Sequence, residues 1–332
     1  MKDEWDLGGR VTSTSGLAAR RRFLRRALLG SAALAFPYRG IAQALSQQSE
    51  GASRLAGGAP SATALGAAVL RALHQVIDHP RILDDPLAVP VLGEGVRALQ
   101  AAADRQEHGL RAFIALRSRY AEDRLAAAVE NGVRQYVVLG AGLDTFACRN
   151  PHAARGLRVF EVDHPATQRW KRAQMDAVGI PLPPSLTFAP VDFETQDLSE
   201  QLRGAGFRFD RPAFFSLLGV VVYLTEAAAM QTLRLVSACA PGTEIVFEFS
   251  LPASRLSASA RAYREMAMAR VAAIGEPWLT FFEPEPLAGD LRALGFGAVD
   301  MLRPEEANRT YFAGRIDGLR IGASGYVTAA RV

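Results

Sequence analysis

Residues 135–145 read QYVVLGAGLDT, an apolar run that ends abruptly in a glycine-rich turn carrying a carboxylate. Turns of this kind meet nucleotide-like ligands at the carboxyl ends of parallel strands. Residues 159–163 read VFEVD, a second apolar stretch that ends in acids. Acids at that place accept hydrogen bonds from a ribose, so the two segments together predict a nucleotide-binding α/β fold.

The last position of the glycine turn distinguishes two ligand classes. A dinucleotide fingerprint has Gly or Ala there, so that helix and strand close around a pyrophosphate, whereas this chain has Thr145. Asp144 adds a negative charge that repels pyrophosphate but accepts hydrogen bonds from a cationic or hydroxylated ligand. The turn therefore fits S-adenosylmethionine better than NAD. The alternative is that the glycines serve only the tight connection.

The composition indicates a soluble globular protein with a large core, since 49% of the 332 residues are hydrophobic. The net charge of +4 comes from residues 1–44, which hold eight basic and three acidic residues and leave 30 basic and 31 acidic residues in the rest of the chain. The body of the protein is therefore close to neutral. It has no basic stripe interleaved with aromatic residues, so nucleic acid is not a predicted partner.

Cysteine and histidine are too sparse to suggest a metal centre. Cys148 and Cys239 are the two cysteines, and the five histidines show no recognisable ligand spacing. The sequence predicts neither a disulfide framework nor a metal.

The first 44 residues resemble a twin-arginine export signal, with RRRFL at 20–24, an apolar stretch at 27–36 and AQA at 42–44. The apolar stretch is too short for stable membrane insertion. The alternative is a disordered basic leader from a start codon placed too early. Because S-adenosylmethionine is made in the cytoplasm, we expect a cytoplasmic protein, with export as the alternative.

Residues 45–60 are rich in Ser, Gln, Gly and Ala and predict a linker, and residues 61–130 predict an N-terminal helical cap. A helix over residues 109–130 has Arg117 and Arg124 on or beside its apolar stripe. A guanidinium on an apolar face needs an anion. That anion is either a carboxylate of the protein core or the carboxylate of the ligand's methionine moiety.

Strands and helices alternate from residue 131 to residue 332, which predicts a mostly parallel sheet covered on both faces. Two late strands are too close in sequence for a full crossover helix, so they predict an antiparallel pair. Asp85 and Pro86 predict another helix start, with Asp85 as its cap. The predicted strands are 135–139, 157–162, 185–191, 213–223, 243–249, 298–303 and 326–331.

Several motifs, in this order, resemble the leucine carboxyl methyltransferase family of S-adenosylmethionine-dependent enzymes. They are SATA at 61–64, LDDP at 83–86, RSRY at 117–120, LGAGLDT at 139–145, FEVDHP at 160–165 and VYL at 222–224. The resemblance implies a Rossmann-like class I methyltransferase with a seven-stranded, mostly parallel sheet, an antiparallel C-terminal hairpin and an N-terminal helical cap.

The resemblance also implies a set of residues that bind S-adenosylmethionine. Gly140 and Gly142 would let the backbone approach the ligand, and Asp163 would bind the ribose hydroxyls with Glu161 beside it. The full set is Arg117, Gly140, Gly142, Asp144, Glu161, Asp163, Asp192 and Phe193.

The resemblance also implies which residues contact the two ends of S-adenosylmethionine. Asp192 and Phe193 would meet the adenine, and Arg117 would take the carboxylate of the methionine moiety. One position departs from the family pattern, which has an acid just before the glycine in the motif after the fourth strand. This chain has Leu218 there, before Gly219, and leucine cannot accept a hydrogen bond.

The predicted reaction is methyl transfer to an oxygen of an unknown small-molecule or peptide acceptor. A carboxylate nucleophile needs no general base, and the sequence shows no unambiguous base, so a carboxylate or acidic hydroxyl is favoured. No catalytic residue is assigned. The alternatives are a protein that binds S-adenosylmethionine without catalysis and an NAD(P)-dependent oxidoreductase.

Overall fold

The computed structural model describes residues 61–97, 108–193 and 196–332. The predicted leader and linker lie outside these residues. Among the helices of the described part, none has the length and apolar character that crossing a lipid bilayer requires.

A seven-stranded sheet is the centre of the described fold, in the order β3-β2-β1-β4-β5-β7-β6. Strands β1 to β5 are parallel to one another, and β7 runs antiparallel to both β5 and β6. This arrangement confirms the predicted sheet and its C-terminal hairpin. The strands are β1 (Gln135–Leu139), β2 (Arg158–Asp163), β3 (Leu186–Pro190), β4 (Phe214–Leu217), β5 (Glu244–Ser250), β6 (Ala298–Leu302) and β7 (Gly325–Arg331).

Helices precede the sheet and connect its strands, and short 3₁₀ helices lie at Pro90–Arg97, Ala153–Arg155, Val221–Tyr223 and Ala253–Arg255. The α-helices are α1 (Ala62–Ile77), α2 (His108–Glu130), α3 (Phe146–Arg149), α4 (Pro165–Ala177), α5 (Leu198–Gly204), α6 (Glu226–Ser237), α7 (Ala258–Ala273), α8 (Pro284–Ala293) and α9 (Pro304–Tyr311).

Both faces of the sheet are covered, as the unbroken apolar run of β1 predicts. Tyr136 and Val138 point to the face that packs against α2, α3 and α9, whereas Val137 and Leu139 point to the face that packs against α5, α6 and α8. All five residues of β1 are buried. Helix α2 therefore lies directly on the sheet, and a boundary between cap and core at residue 130 stays a prediction.

Local sequence signals explain where several helices begin. The hydroxyl of Ser61 accepts the N–H of Ala64 at the start of α1, and Thr225 does the same for α6. The predicted helix does not start directly after Asp85: the side chain accepts the N–H of Leu87 in a turn, and a 3₁₀ helix follows at Pro90–Arg97.

The fourth strand is shorter than its apolar sequence predicts. It ends at Leu217 instead of residue 223, because Gly219 has a φ of +79° and the chain then turns into the 3₁₀ helix Val221–Tyr223. A positive φ does not fit an extended strand. The early end of β4 bears on function, because the loop that follows Leu217 lies beside the carboxyl end of β1.

Candidate functional site

The loops at the carboxyl ends of β1, β2, β4 and β5 meet at one edge of the sheet. In open α/β sheets, ligands bind in the crevice outside these ends. The backbone N–H groups of Gly140 and Ala141 bond to the carbonyl oxygen of Val162, at 2.8 and 3.0 Å, which joins the glycine turn to the end of β2.

The glycine turn is in close contact with two other segments. Gly140 has a φ of +68°, and a Cβ there would lie 2.3 Å from Cγ2 of Val220 in the loop after β4. Gly142 also has a positive φ, and its Cβ would lie 3.2 Å from Cβ of Ala64 in α1. The backbone at both positions therefore passes close to its neighbours only because the side chains are absent.

Asp163 lies at the end of β2 and closes the turn. Its Oδ2 accepts the N–H of Gly142 at 2.6 Å, and its Oδ1 accepts the N–H of His164 at 2.7 Å. Burial raises the pKa of Asp163, although these two N–H groups oppose the shift. Each carboxylate oxygen has a second lone pair, so the side chain can still accept two ribose hydroxyls.

Glu161 lies two residues earlier on the same face of β2, but its carboxylate is engaged elsewhere. Its Oε2 is 2.6 Å from Nζ of Lys171 in α4, and both side chains are only 1% exposed. Burial raises the pKa of Glu161 to about 7, against the opposing charge of Lys171. The structure thus makes Glu161 part of a buried ion pair, and Lys171 is a residue that the sequence analysis missed.

Asp144 takes part in a polar cluster that joins α1 to the glycine turn. Its Oδ1 accepts the N–H of Phe146 at 2.7 Å, and its Oδ2 lies 3.4 Å from Arg71 of α1. Burial alone would raise the pKa of Asp144, but the charges led by Arg71 outweigh it and the pKa is lowered. Arg71 also lies 3.2 Å from Asp85, which accepts the hydroxyl of Thr145 at 2.6 Å.

Sequence reasoning missed Arg71 because it sought one apolar stripe on α1. Residues 68–75 are all buried, so this part of α1 is enclosed on every side, and a cation inside it needs buried anions. The sequence did contain a sign that α1 is buried on all sides. Leu70 and Ala72 point to different sides of the helix, yet both are apolar.

Arg117 and Arg124 both pair with core carboxylates, but at opposite ends of strand β5. Arg117 donates to Glu248 near the carboxyl end of β5 at 2.6 Å, and Arg124 donates to Glu244 at the amino end of β5 at 2.6 Å. Arg124 is therefore removed from the predicted ligand edge. Arg117 lies at that edge, with its guanidinium beside Gly219.

Asp192 and Phe193 follow β3, next to the end of β2. The N–H of Val191 bonds to the carbonyl oxygen of Asp163 at 2.9 Å, which places this loop alongside the proposed ribose-binding carboxylate. The backbone of Asp192 is held by Gln196, and Phe193 packs partly buried against the core. This is a suitable position for contacts with an adenine.

A second polar cluster covers the end of β4. The hydroxyl of Tyr223 faces the side chains of Thr63 and Trp278, although the buried indole N–H of Trp278 makes no hydrogen bond of good geometry. Burial raises the pKa of Tyr223. The loop that carries Trp278 is fastened by the N–H of Leu279, which bonds to the carbonyl oxygen of Val222 at 2.6 Å.

Glu276 joins that loop to the start of α1. Its carboxylate accepts the backbone N–H groups of Ala62 and Thr63, at 2.8 and 3.1 Å, and the hydroxyls of Ser61 and Thr63, at 3.0 and 2.5 Å. A carboxylate is favoured at this place, because a helix N-terminus carries partial positive charge and unpaired N–H groups. Neither Glu276 nor Trp278 was predicted from the sequence.

The residues present fit S-adenosylmethionine. The glycine turn has room for close approach, Asp163 retains acceptor capacity, and Glu248 has a buried oxygen without a hydrogen-bond partner. Within the described residues, no group of three or more His, Cys, Asp and Glu side chains is arranged to hold a metal ion.

Comparison with known proteins agrees with this geometry. Residues 64–237 match the leucine carboxyl methyltransferase family. "Putative S-adenosyl-L-methionine-dependent methyltransferase YktD" of Bacillus subtilis (strain 168) is 32% identical over 286 residues, which cover 78% of this chain and 93% of that protein. The relative Franean1_4929 of Parafrankia sp. (strain EAN1pec), named in the same way, is 36% identical over 56% of this chain and 62% of that protein.

Two solved structures share the fold. A "putative methyltransferase" from Thermobifida fusca YX superposes with a TM-score of 0.51 at 19% identity, covering 84% of this chain and 97% of that one. A DUF574 family protein from Streptomyces avermitilis MA-4680 superposes with a TM-score of 0.50 at 16% identity, covering 84% and 99%. At these identities the likeness establishes the fold alone.

Proposed function

Since the chain belongs to the leucine carboxyl methyltransferase family and is an S-adenosylmethionine-dependent methyltransferase, we propose that it methylates an oxygen of a carboxylate or an acidic hydroxyl. When bound, S-adenosylmethionine supplies a methyl group activated by a positively charged sulfur. The acceptor is a small molecule or a peptide. Family membership argues against the NAD(P)-dependent oxidoreductase.

The observation that carries this proposal is the chemistry of the cluster around Tyr223. The side chains of Tyr223 and Trp278 offer hydrogen-bond donors, and the buried N–H of Trp278 makes no hydrogen bond of good geometry. The hydroxyl of Thr63 already donates to Glu276. Glu276 is the nearby carboxylate, and four hydrogen bonds from the start of α1 occupy it. Donors without an available base suit an acceptor that arrives already ionised.

A carboxylate acceptor carries its nucleophilic charge before it binds, so no side chain has to remove a proton from it. An acidic hydroxyl is ionised in part at neutral pH and meets the same condition. The protein then has to align the acceptor oxygen with the donor methyl group and exclude water. The loop that carries Trp278 and the start of α1 can do both, because Glu276 holds them together over the end of β4.

Isotope-labelled S-adenosylmethionine and cell extract would test the proposal. We expect the purified chain to label an acceptor that mass spectrometry identifies, and mild base to release the label as methanol if the product is a carboxyl ester. An ether of a hydroxyl would keep the label. The control is Gly142→Val, for which we expect no ligand binding and an unchanged far-ultraviolet circular dichroism spectrum.

Other outcomes would change the assignment. Labelling of nitrogen or sulfur alone would contradict it. Tight binding without turnover on a broad panel of acids and phenols would favour the non-catalytic binding protein. For the site of action we propose the cytoplasm, where the donor is made. Cell fractionation tests this against export directed by residues 1–44.

A further inference from the structure

Glu248 has a buried carboxylate of which only one oxygen is bonded. Its Oε1 accepts from Nη1 of Arg117 at 2.6 Å and from the N–H of Gly219 at 2.5 Å. Its Oε2 is buried and has no hydrogen-bond partner. The side chain is 9% exposed, so bulk water does not supply the missing hydrogen bond to the second oxygen.

Stability alone does not explain this arrangement. A buried oxygen that is left without a hydrogen-bond donor costs free energy, about 1–3 kcal/mol. Burial raises the pKa of Glu248 against the opposing charge of Arg117 and the N–H of Gly219. The same two elements, α2 and β5, are already joined by Arg124 and Glu244 at their other ends. In that second pair no oxygen of Glu244 is both buried and unpartnered.

Glu248 lies at the carboxyl end of the parallel strands, where open α/β sheets bind their ligands. Phe247 pairs with Leu217, the last residue of β4, so Glu248 follows directly at the carboxyl edge of the sheet. Gly219 has a positive φ, and a Cβ there would lie 2.9 Å from Nη2 of Arg117. The absence of that Cβ leaves the guanidinium and the carboxylate side by side at the edge.

Building on the proposed function, we propose that Glu248 and Arg117 form a clamp for the amino-acid end of S-adenosylmethionine. The new assignment is Glu248, whose Oε2 accepts the α-ammonium group, beside the guanidinium of Arg117, which the family resemblance already assigns to the α-carboxylate. The two charges of the ligand are held by two charges of opposite sign, and the unpartnered oxygen gains its missing donor. Leu218 packs against the hydrophobic core and takes no part.

Calorimetry with two ligands and two variants would test the clamp in the full chain. The ligands are S-adenosylhomocysteine and its analogue in which hydrogen replaces the α-amino group. We expect loss of the amino group to weaken binding to the unmodified protein about ten- to a hundredfold, the range for a hydrogen bond between charged groups. In Glu248→Gln the same loss should change affinity by less than about threefold.

The matched control is Glu244→Gln, which removes the other ion pair between α2 and β5 and should leave the amino-group effect at its unmodified size. If Glu248→Gln does not fold, Glu248→Asp keeps the charge with a shorter reach, and the amino-group effect should still fall. An amino-group effect of equal size in the Glu248 variants and the unmodified protein would overturn the clamp. Failure of the unmodified protein to bind S-adenosylhomocysteine would instead reject the proposed function, and the clamp with it.

Discussion

Replacing the buried pair Glu161 and Lys171 with apolar side chains should stabilise the protein, and more so at high pH. The change is Glu161→Leu with Lys171→Met. The two charged groups are 2.6 Å apart and 1% exposed, and Oε1 of Glu161 has no hydrogen-bond partner. Replacing such a pair with well-packed apolar residues is often neutral or stabilising by about 1–4 kcal/mol.

The pH dependence follows from the raised pKa of Glu161, which is about 7 in the folded protein against 4.5 in a model peptide. Between these values the folded state binds more protons than the unfolded state, so the stability of the unmodified protein falls as pH rises and levels off above about pH 7. From pH 5 to pH 8 this loss is about 2–3 kcal/mol. The double variant lacks it.

Urea unfolding at pH 5, 6.5 and 8 measures the difference between the two proteins. We expect the advantage of the double variant to grow with pH in this window. As a control, Arg208→Ala with Asp210→Ala removes an exposed pair and should leave the pH dependence unchanged. A constant difference across the three pH values would refute the raised pKa of the buried Glu161 carboxylate.

The same variant decides the ligand role of Glu161. Because the structure engages its carboxylate with Lys171, we expect the folded double variant to bind S-adenosylhomocysteine with unchanged affinity. If the double variant instead bound S-adenosylhomocysteine more weakly, but bound an analogue without ribose hydroxyls with unchanged affinity, Glu161 would be a ribose-binding residue.

Three further changes address the turn and the start of α1. Gly140→Ala should destabilise the protein by about 1–2 kcal/mol because of the positive φ alone. The clash of the new Cβ with Val220 should add a further loss of stability. In a thermal melt, the second change Val220→Ala should recover this further loss. Asp163→Ala should weaken binding of S-adenosylhomocysteine by about 1–3 kcal/mol in calorimetry, and unchanged affinity would remove Asp163 from the ribose. Glu276→Ala should cost about 1–2 kcal/mol in urea unfolding, because the start of α1 loses its acceptor, and an unaltered midpoint would contradict that role.

The succession of strands along the chain and the mostly parallel character of the sheet could be predicted because each element has a local signal. The apolar run of β1, the turn at Gly140 and the acids at the end of β2 are contiguous in sequence, and the parallel sheet follows from their alternation with helices. The predicted strand at 213–223 was too long, since apolar periodicity does not reveal where a glycine takes a positive φ. The site residues keep the status of predictions, and the structure adds where each one lies.

The sequence by itself determined the fold class and the family, and it predicted the ligand edge, because strand patterns and glycine turns are encoded in neighbouring residues. Only the tertiary structure decided which charges meet. Glu161 with Lys171, Arg117 with Glu248 and Glu276 with the start of α1 join segments 10, 131 and up to 215 residues apart. Partners at such separations leave no local pattern, and the free energy of a buried charge depends on what surrounds it after folding.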